Sequence, residues 1–217
     1  FERNSNNILP PPDHHEMNTT TLNIGNLNHI ADLFRCFNSG KHLNRVADPA
    51  LWAELESGID TYRGLFGSLG YELKFDERGF AWFHSEDPSN NLTKRSRSLA
   101  LLFMVIFDYQ ADEGKPLIRF GDWRLDRELL SKIFNQYNEL LMAADIGNLE
   151  SFIDVLSGAA CTYGFAIQEG TSWRLLPAVC RYLDHFEEIA AVSREQRQEL
   201  SWNENSDLAA DDGSEEE

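Results

Sequence analysis

One order of elements is written twice in this chain, and that repeat constrains its fold more than any other feature. Residues 28–38 place Ile30, Leu33, Phe34 and Phe37 on one helical face. Ser39-Gly40 closes that helix, and Lys41-His42-Leu43 is a short extended piece. Asp48-Pro49 opens the next helix, whose stripe runs Leu51, Leu55, Ile59, Tyr62, Leu65, Phe66 and Leu69. Gly70 stops it. Tyr71, Leu73 and Phe75 alternate with polar residues, Asp76-Glu77-Arg78-Gly79 turns the chain, and Phe80-Ala81-Trp82-Phe83 returns as a hairpin strand. The second pass starts with a helix over 97–112 that is apolar nearly all round. A short strand at Leu117-Ile118 follows. Helices come next over 125–141 and 149–163. A second hairpin pairs Phe165-Ala166-Ile167 with Trp173-Arg174-Leu175 across residues 168–172, and Pro177 opens a last helix to about Ala191.

Helix, short strand, helices and a two-stranded wing make the plan of a winged helix. The expected fold class is therefore α+β, mainly helical, with tandem winged-helix domains. The first spans 27–86, a linker spans 87–95, and the second spans 96–192 with the C-terminal helix. Residues 1–26, with Pro10-Pro11-Pro12, read as a flexible arm. Residues 193–217 carry nine acids and two arginines with few apolar residues, and read as a disordered acidic tail.

Charge limits the function classes. The formal net charge is −17, so most of the surface repels polyanions and a generic basic nucleic-acid binder is disfavoured. One segment departs from this: 94–132 holds eight bases against six acids. The longest apolar run, Leu99 to Phe107, is nine residues, against roughly twenty for a membrane helix. No membrane association is expected, and the first thirty residues lack a signal-peptide layout. Phe1 is not an initiator Met, so the numbering is expected to start inside a longer product. Cys36, Cys161 and Cys180 sit among apolar residues without metal-pair spacing, and read as reduced core thiols of a cytosolic protein.

Three motifs carry a resemblance. Ser39-Gly40-Lys41-His42-Leu43 stands where MksE/MukE-like proteins have Ser-Gly-basic-His-aliphatic. Gly79-Phe80-Ala81-Trp82-Phe83 is similar to the Gly-Phe-aromatic return strand of their first wing. The stretch from Trp173 to Tyr182 matches an aromatic-Arg-aliphatic strand followed by Val-x-Arg-aromatic. The chain thus resembles the small acidic, kleisin-binding subunits of Muk- and Mks-type bacterial condensins over roughly 28–191 and the acidic tail. The resemblance implies a homodimer that binds a kleisin of the MksF type and joins an SMC-like ATPase of the MksB type. It implies DNA compaction, chromosome segregation or plasmid defence, in the cytoplasm on the nucleoid.

One departure bears on DNA. The stretch matching the Lys- and Arg-bearing helix of MukE-like proteins, Leu149 to Tyr163, has only Glu150 and Asp154 as charged residues. It cannot neutralise phosphate or read a guanine edge. The alternative of a sequence-specific winged-helix transcription regulator is therefore physically disfavoured. If DNA is touched, the donors are Lys94, Arg95, Arg97, Arg119, Arg124 and Arg127, and binding is non-specific. Five phosphate contacts give a slope of about −4.5 in log K against log salt.

No catalytic constellation stands out. His14-His15-Glu16 has no further ligand at helical spacing, Gly67-Ser68-Leu69-Gly70 lacks the Lys-Ser/Thr of a phosphate loop, and His42 reads as a structural hydrogen-bonding group. No enzyme activity, metal or cofactor is expected. Apolar excess points to partners instead: Leu101, Leu102, Val105 and Ile106 on the apolar helix, and Trp173 with Arg174 on the second wing, are the interface candidates, each with a core role as the competing explanation.

Overall fold

The computed structural model describes residues 27–84 and 90–194. The arm at 1–26, His14-His15-Glu16 within it, and the tail beyond Arg194 lie outside the described residues.

The first unit is built from α1 (Ile30–Asn38), β1 (Leu43–Asn44), α2 (Pro49–Ser57), α3 (Ile59–Ser68), β2 (Glu72–Asp76) and β3 (Phe80–His84). Gly40, at φ +79°, takes the left-handed position that ends α1, and the Lys41 N–H returns to the Cys36 carbonyl. The single helix expected from Pro49 to Leu69 is two. It breaks at Gly58, where the Tyr62 ring lies 3.4 Å from the place a Cβ would occupy. The break lets both pieces face the core, with Trp52 and Leu55 buried from α2 and Tyr62 and Phe66 from α3, while Leu69 is exposed. Asp48 starts α2 without a side-chain cap bond and faces Lys41 at 3.5 Å instead. The hairpin register pairs Leu73 with Phe83 and Phe75 with Ala81, and β1 adds on the far side of β3, giving the order β1-β3-β2.

The second unit begins with α4 (Asn90–Asp112), so the expected linker at 87–95 is helical from Asn90 on. The expected strand at Leu117-Ile118 is a 3-10 turn over Leu117–Asp122. Ile118 there is 92% exposed and has no ladder partner. The strand is β4 (Leu125–Asp126), where Leu125 is fully buried opposite Trp173, and Asp126 goes on to cap α5 (Arg127–Gln136) by accepting from the Leu129 N–H at 2.9 Å. Then come α6 (Asn138–Ala143) and α7 (Leu149–Asp154), which continues as a π-helical turn over Val155–Ala160. The hairpin β5 (Ala166–Glu169) and β6 (Ser172–Leu175) closes on Gly170-Thr171, a tighter turn than expected. A 3-10 turn over Pro177–Val179 leads into α8 (180–194). The second sheet is ordered β4-β6-β5, the same arrangement as the first. The chain is mainly helical with two small sheets.

Each unit has its own apolar core, and they interlock. Phe80 of β3 belongs to the second core with Phe103, Phe152 and Leu175. α4 is the central helix of that core, which is why it is apolar nearly all round. Leu102, Val105 and Ile106 are fully buried against their own chain, so they do not form a partner surface as expected. Leu101 is half-buried. Trp173 is also a correction: β6 is the central strand, and its indole is 8% exposed.

Candidate functional site

The two units meet at a polar seam between sequence-distant residues. The Asn44 side chain, wholly buried, donates to the Gly164 carbonyl at 2.8 Å and to the His42 carbonyl at 3.1 Å, and accepts from the Ala178 N–H at 3.3 Å. The His42 N–H donates to the Tyr163 carbonyl at 2.9 Å. The ring Nδ1 stands 2.9 Å from the same carbonyl and donates to it, and Nε2 accepts from Arg181 Nη1 at 2.6 Å. That pairing requires a neutral imidazole with the proton on Nδ1. Burial, and then the Arg181 charge, push its pKa down to about 3. The Arg181 guanidinium lies over the Trp82 indole at 4.5 Å from the ring centre, and burial holds its pKa below the usual arginine range. On the flank, Arg78 pairs with both Asp76 of its own turn and Asp184 of α8. Truncating Asn44 to alanine leaves the Gly164 carbonyl and the Ala178 N–H without their partner. Urea melts should show a loss of about 2–3 kcal/mol.

The DNA-contact candidates are exposed, and most are already engaged. Lys94 faces Asp145 at 3.7 Å, Arg119 pairs with Asp122 at 2.9 Å, and Arg127 pairs with Glu150 of α7. Arg95 donates to the Tyr163 hydroxyl at 2.7 Å. Arg97 and Arg124 have no ion pair or hydrogen bond from their side chains among the described residues. Exposed ion pairs are worth roughly 0–1 kcal/mol, so phosphate could exchange for these carboxylates, in a salt-sensitive way. Lys94, Arg95 and Arg97 sit on α4, Arg119 and Arg124 on the segment leading into α5, and Arg127 at the start of α5. Arg124 and Arg174 share a shallow cleft of about 210 Å³ with Asp122, Trp123, Glu169 and Trp173. Arg174 is paired with Glu169 at 2.7 Å.

Burial raises the thiol pKa of Cys36 to about 11, and also those of Cys161 and Cys180, which makes all three poor nucleophiles near neutral pH. Among the described residues no three His, Cys, Asp or Glu side chains group as a metal site. Among them, too, no helix is long and apolar enough to cross a membrane.

Sequence reasoning placed His42 in a structural hydrogen bond but missed Asn44, Gly164 and Arg181. The signal was present: the three motifs that carry the resemblance supply His42, Trp82 and Arg181, and these three side chains touch. No curated protein matches the sequence. A family model described as condensin complex protein MksE matches residues 28–187, which takes in both sheets, the whole seam and all of both cores but Leu27. With well over half its length matched, the chain belongs to the MksE family of condensin complex proteins.

Proposed function

We propose that both units are winged helices, spanning 27–86 and 96–192, and that the chain is a non-enzymatic accessory subunit of an Mks-type SMC condensin. The observation that carries this is the family match over 28–187; the identical order of the two sheets supports the tandem architecture. The subunit forms a homodimer and binds an MksF-type kleisin. Through the kleisin it joins an MksB-type ATPase, where the ATP chemistry resides. It acts in the cytoplasm on the nucleoid, in compaction, segregation or plasmid defence. Leu101 and Arg174 remain as interface candidates, since Leu102, Val105, Ile106 and Trp173 are committed to the core.

DNA contact, where it occurs, is to the backbone. α7 carries Glu150 and Asp154, and Glu150 faces Arg127, so the helix that reads bases in a winged-helix regulator is acidic here. Co-expression with an MksF-type kleisin tests the proposal. Both chains are expected to elute together at low salt, and a kleisin that elutes without this chain contradicts it. Retained duplex is expected to show no sequence preference and to weaken with a log–log salt slope near about −4.5.

A further inference from the structure

Buried charges in proteins are normally paired with an opposite charge. Several cations of this chain are paired even at the surface, as in Lys41–Asp48, Arg45–Glu56 and Arg78–Asp184. Arg181 is not. It is largely buried, yet among the described residues no carboxylate lies within ion-pair distance of it. A guanidinium has five N–H donors. One of them meets His42 Nε2, and the planar face rests on Trp82. None of its nitrogens is both sealed from solvent and unpaired, so the remaining donors open to the surface. A second donor nearby is orphaned: the Trp82 indole N–H, in the ring beneath the guanidinium, is buried with no acceptor. Tyr163 brings a further cation, since its carbonyl accepts from His42 and its hydroxyl from Arg95, which also has no carboxylate partner among the described residues. The Trp82 ring beneath the guanidinium is itself half-buried, and the half-buried Tyr182 is near enough to act electrostatically on Arg181.

This is a cation with unused donors, set on an aromatic ring. Arg, Trp and Tyr are the residue types that dominate binding energy at protein interfaces. A fitting acceptor carries a full negative charge and reaches a half-buried guanidinium. A side-chain carboxylate on an extended protein segment does both, with the bidentate geometry that a guanidinium favours. A DNA duplex holds its phosphates on a stiff backbone and meets a chain of net charge −17.

We propose that the Arg181 guanidinium receives an aspartate or glutamate side chain of the kleisin partner, anchoring it across the joint between the two units. This rests on the function proposed above. Such an anchor would make partner binding sensitive to how the units are set against each other, because His42 and Trp82 come from the first unit and Arg181 from the second.

Two measurements test it. In the first, Arg181→Met keeps an unbranched stem over Trp82 and removes the charge. Its affinity for an MksF-type kleisin is expected to fall by about tenfold or more at a temperature where the variant is fully folded, its melting temperature is expected to drop by a few degrees because His42 Nε2 loses its donor, and Arg181→Lys is expected to recover part of the affinity. In the second, the unaltered chain is titrated with propionate against chloride at constant ionic strength, following the NMR signal of the Arg181 Nε–H group. Propionate is expected to move it and chloride to leave it. Undiminished kleisin affinity in Arg181→Met overturns the proposal, as does a signal indifferent to propionate or a loss confined to duplex retention. If propionate moves the signal while the unaltered chain ignores the kleisin, the carboxylate anchor stands and the kleisin is overturned as its source.

Discussion

Replacing Gly164 with alanine is expected to destabilise the chain by about 4 kcal/mol or more, measured by urea unfolding. Gly164 sits at φ +76°, where an L side chain costs roughly 1–2 kcal/mol by itself. A Cβ there would lie 2.3 Å from the His42 carbonyl oxygen and 3.3 Å from the Asn44 amide nitrogen. Neither neighbour can give way cheaply. The His42 peptide is held by the Tyr163 carbonyl, and the Asn44 amide is bonded to Gly164 itself. Relief requires the two units to separate, which breaks the seam. Typical domains hold only about 5–15 kcal/mol of stability, so a loss of this size brings much of the chain to the edge of unfolding. Gly67→Ala is the matched control. Gly67 lies in α3 with open space around it, and alanine there is expected to stabilise by about 0.5–1 kcal/mol.

Acid is expected to weaken the same seam. The unfolded chain protonates His42 as pH falls through about 6.5, whereas the folded chain keeps it neutral down to about pH 3. Between these values the unfolded state binds the extra proton, so stability is full above pH 6.5 and declines as pH falls toward 3. The decline from pH 7 to pH 4 attributable to this one imidazole is about 3 kcal/mol. Its cause is burial first, and the fixed charge of Arg181 second. Carboxylates such as Asp76, whose pKa is lowered chiefly by its hydrogen bond to Arg78, lose their contribution at still lower pH. Unfolding free energies at several pH values, compared between the native chain and His42→Gln, isolate the effect. The variant is expected to lose the slope between pH 6.5 and 4, and an equal slope in both assigns it to other groups.

The parts of this fold written in local patterns were legible in the sequence. Alternation in Tyr71–Phe75, followed by a turn and the apolar run Phe80–Phe83, specified the first hairpin, and Gly40 marked the end of α1 because a left-handed cap is a local demand. What failed depended on surroundings. The stripe from Leu51 to Leu69 runs smoothly through Gly58, and only the Tyr62 ring packed against that glycine shows why the helix breaks there. Leu117-Ile118 has strand composition, but the strand needed a buried residue opposite Trp173, and Leu125 supplies it. An all-round apolar helix fits a subunit contact and a central core equally well. Periodicity records the apolar faces of α4 and is silent on what lies across from Leu102 and Ile106.

The seam was hardest to foresee. His42 and Arg181 are 139 residues apart, and Asn44 and Gly164 are 120 apart, so no window of sequence contains both partners. The motifs that mark the family named the residues without their meeting. Their shared location gives those short patterns a physical basis, since each holds one piece of the joint that sets the two units relative to each other. The basic segment shows the reverse. Lys94, Arg119 and Arg127 stood out as surplus positive charge along the chain, yet folding sets Asp145, Asp122 and Glu150 against them.

The central claim is that this chain works by assembling with other chains. Light scattering coupled to size exclusion, on the chain mixed with an MksF-type kleisin at low salt, measures that directly. A single species whose mass equals kleisin plus two copies of this chain is the predicted result. A 24.8-kDa monomer eluting apart from the kleisin contradicts it.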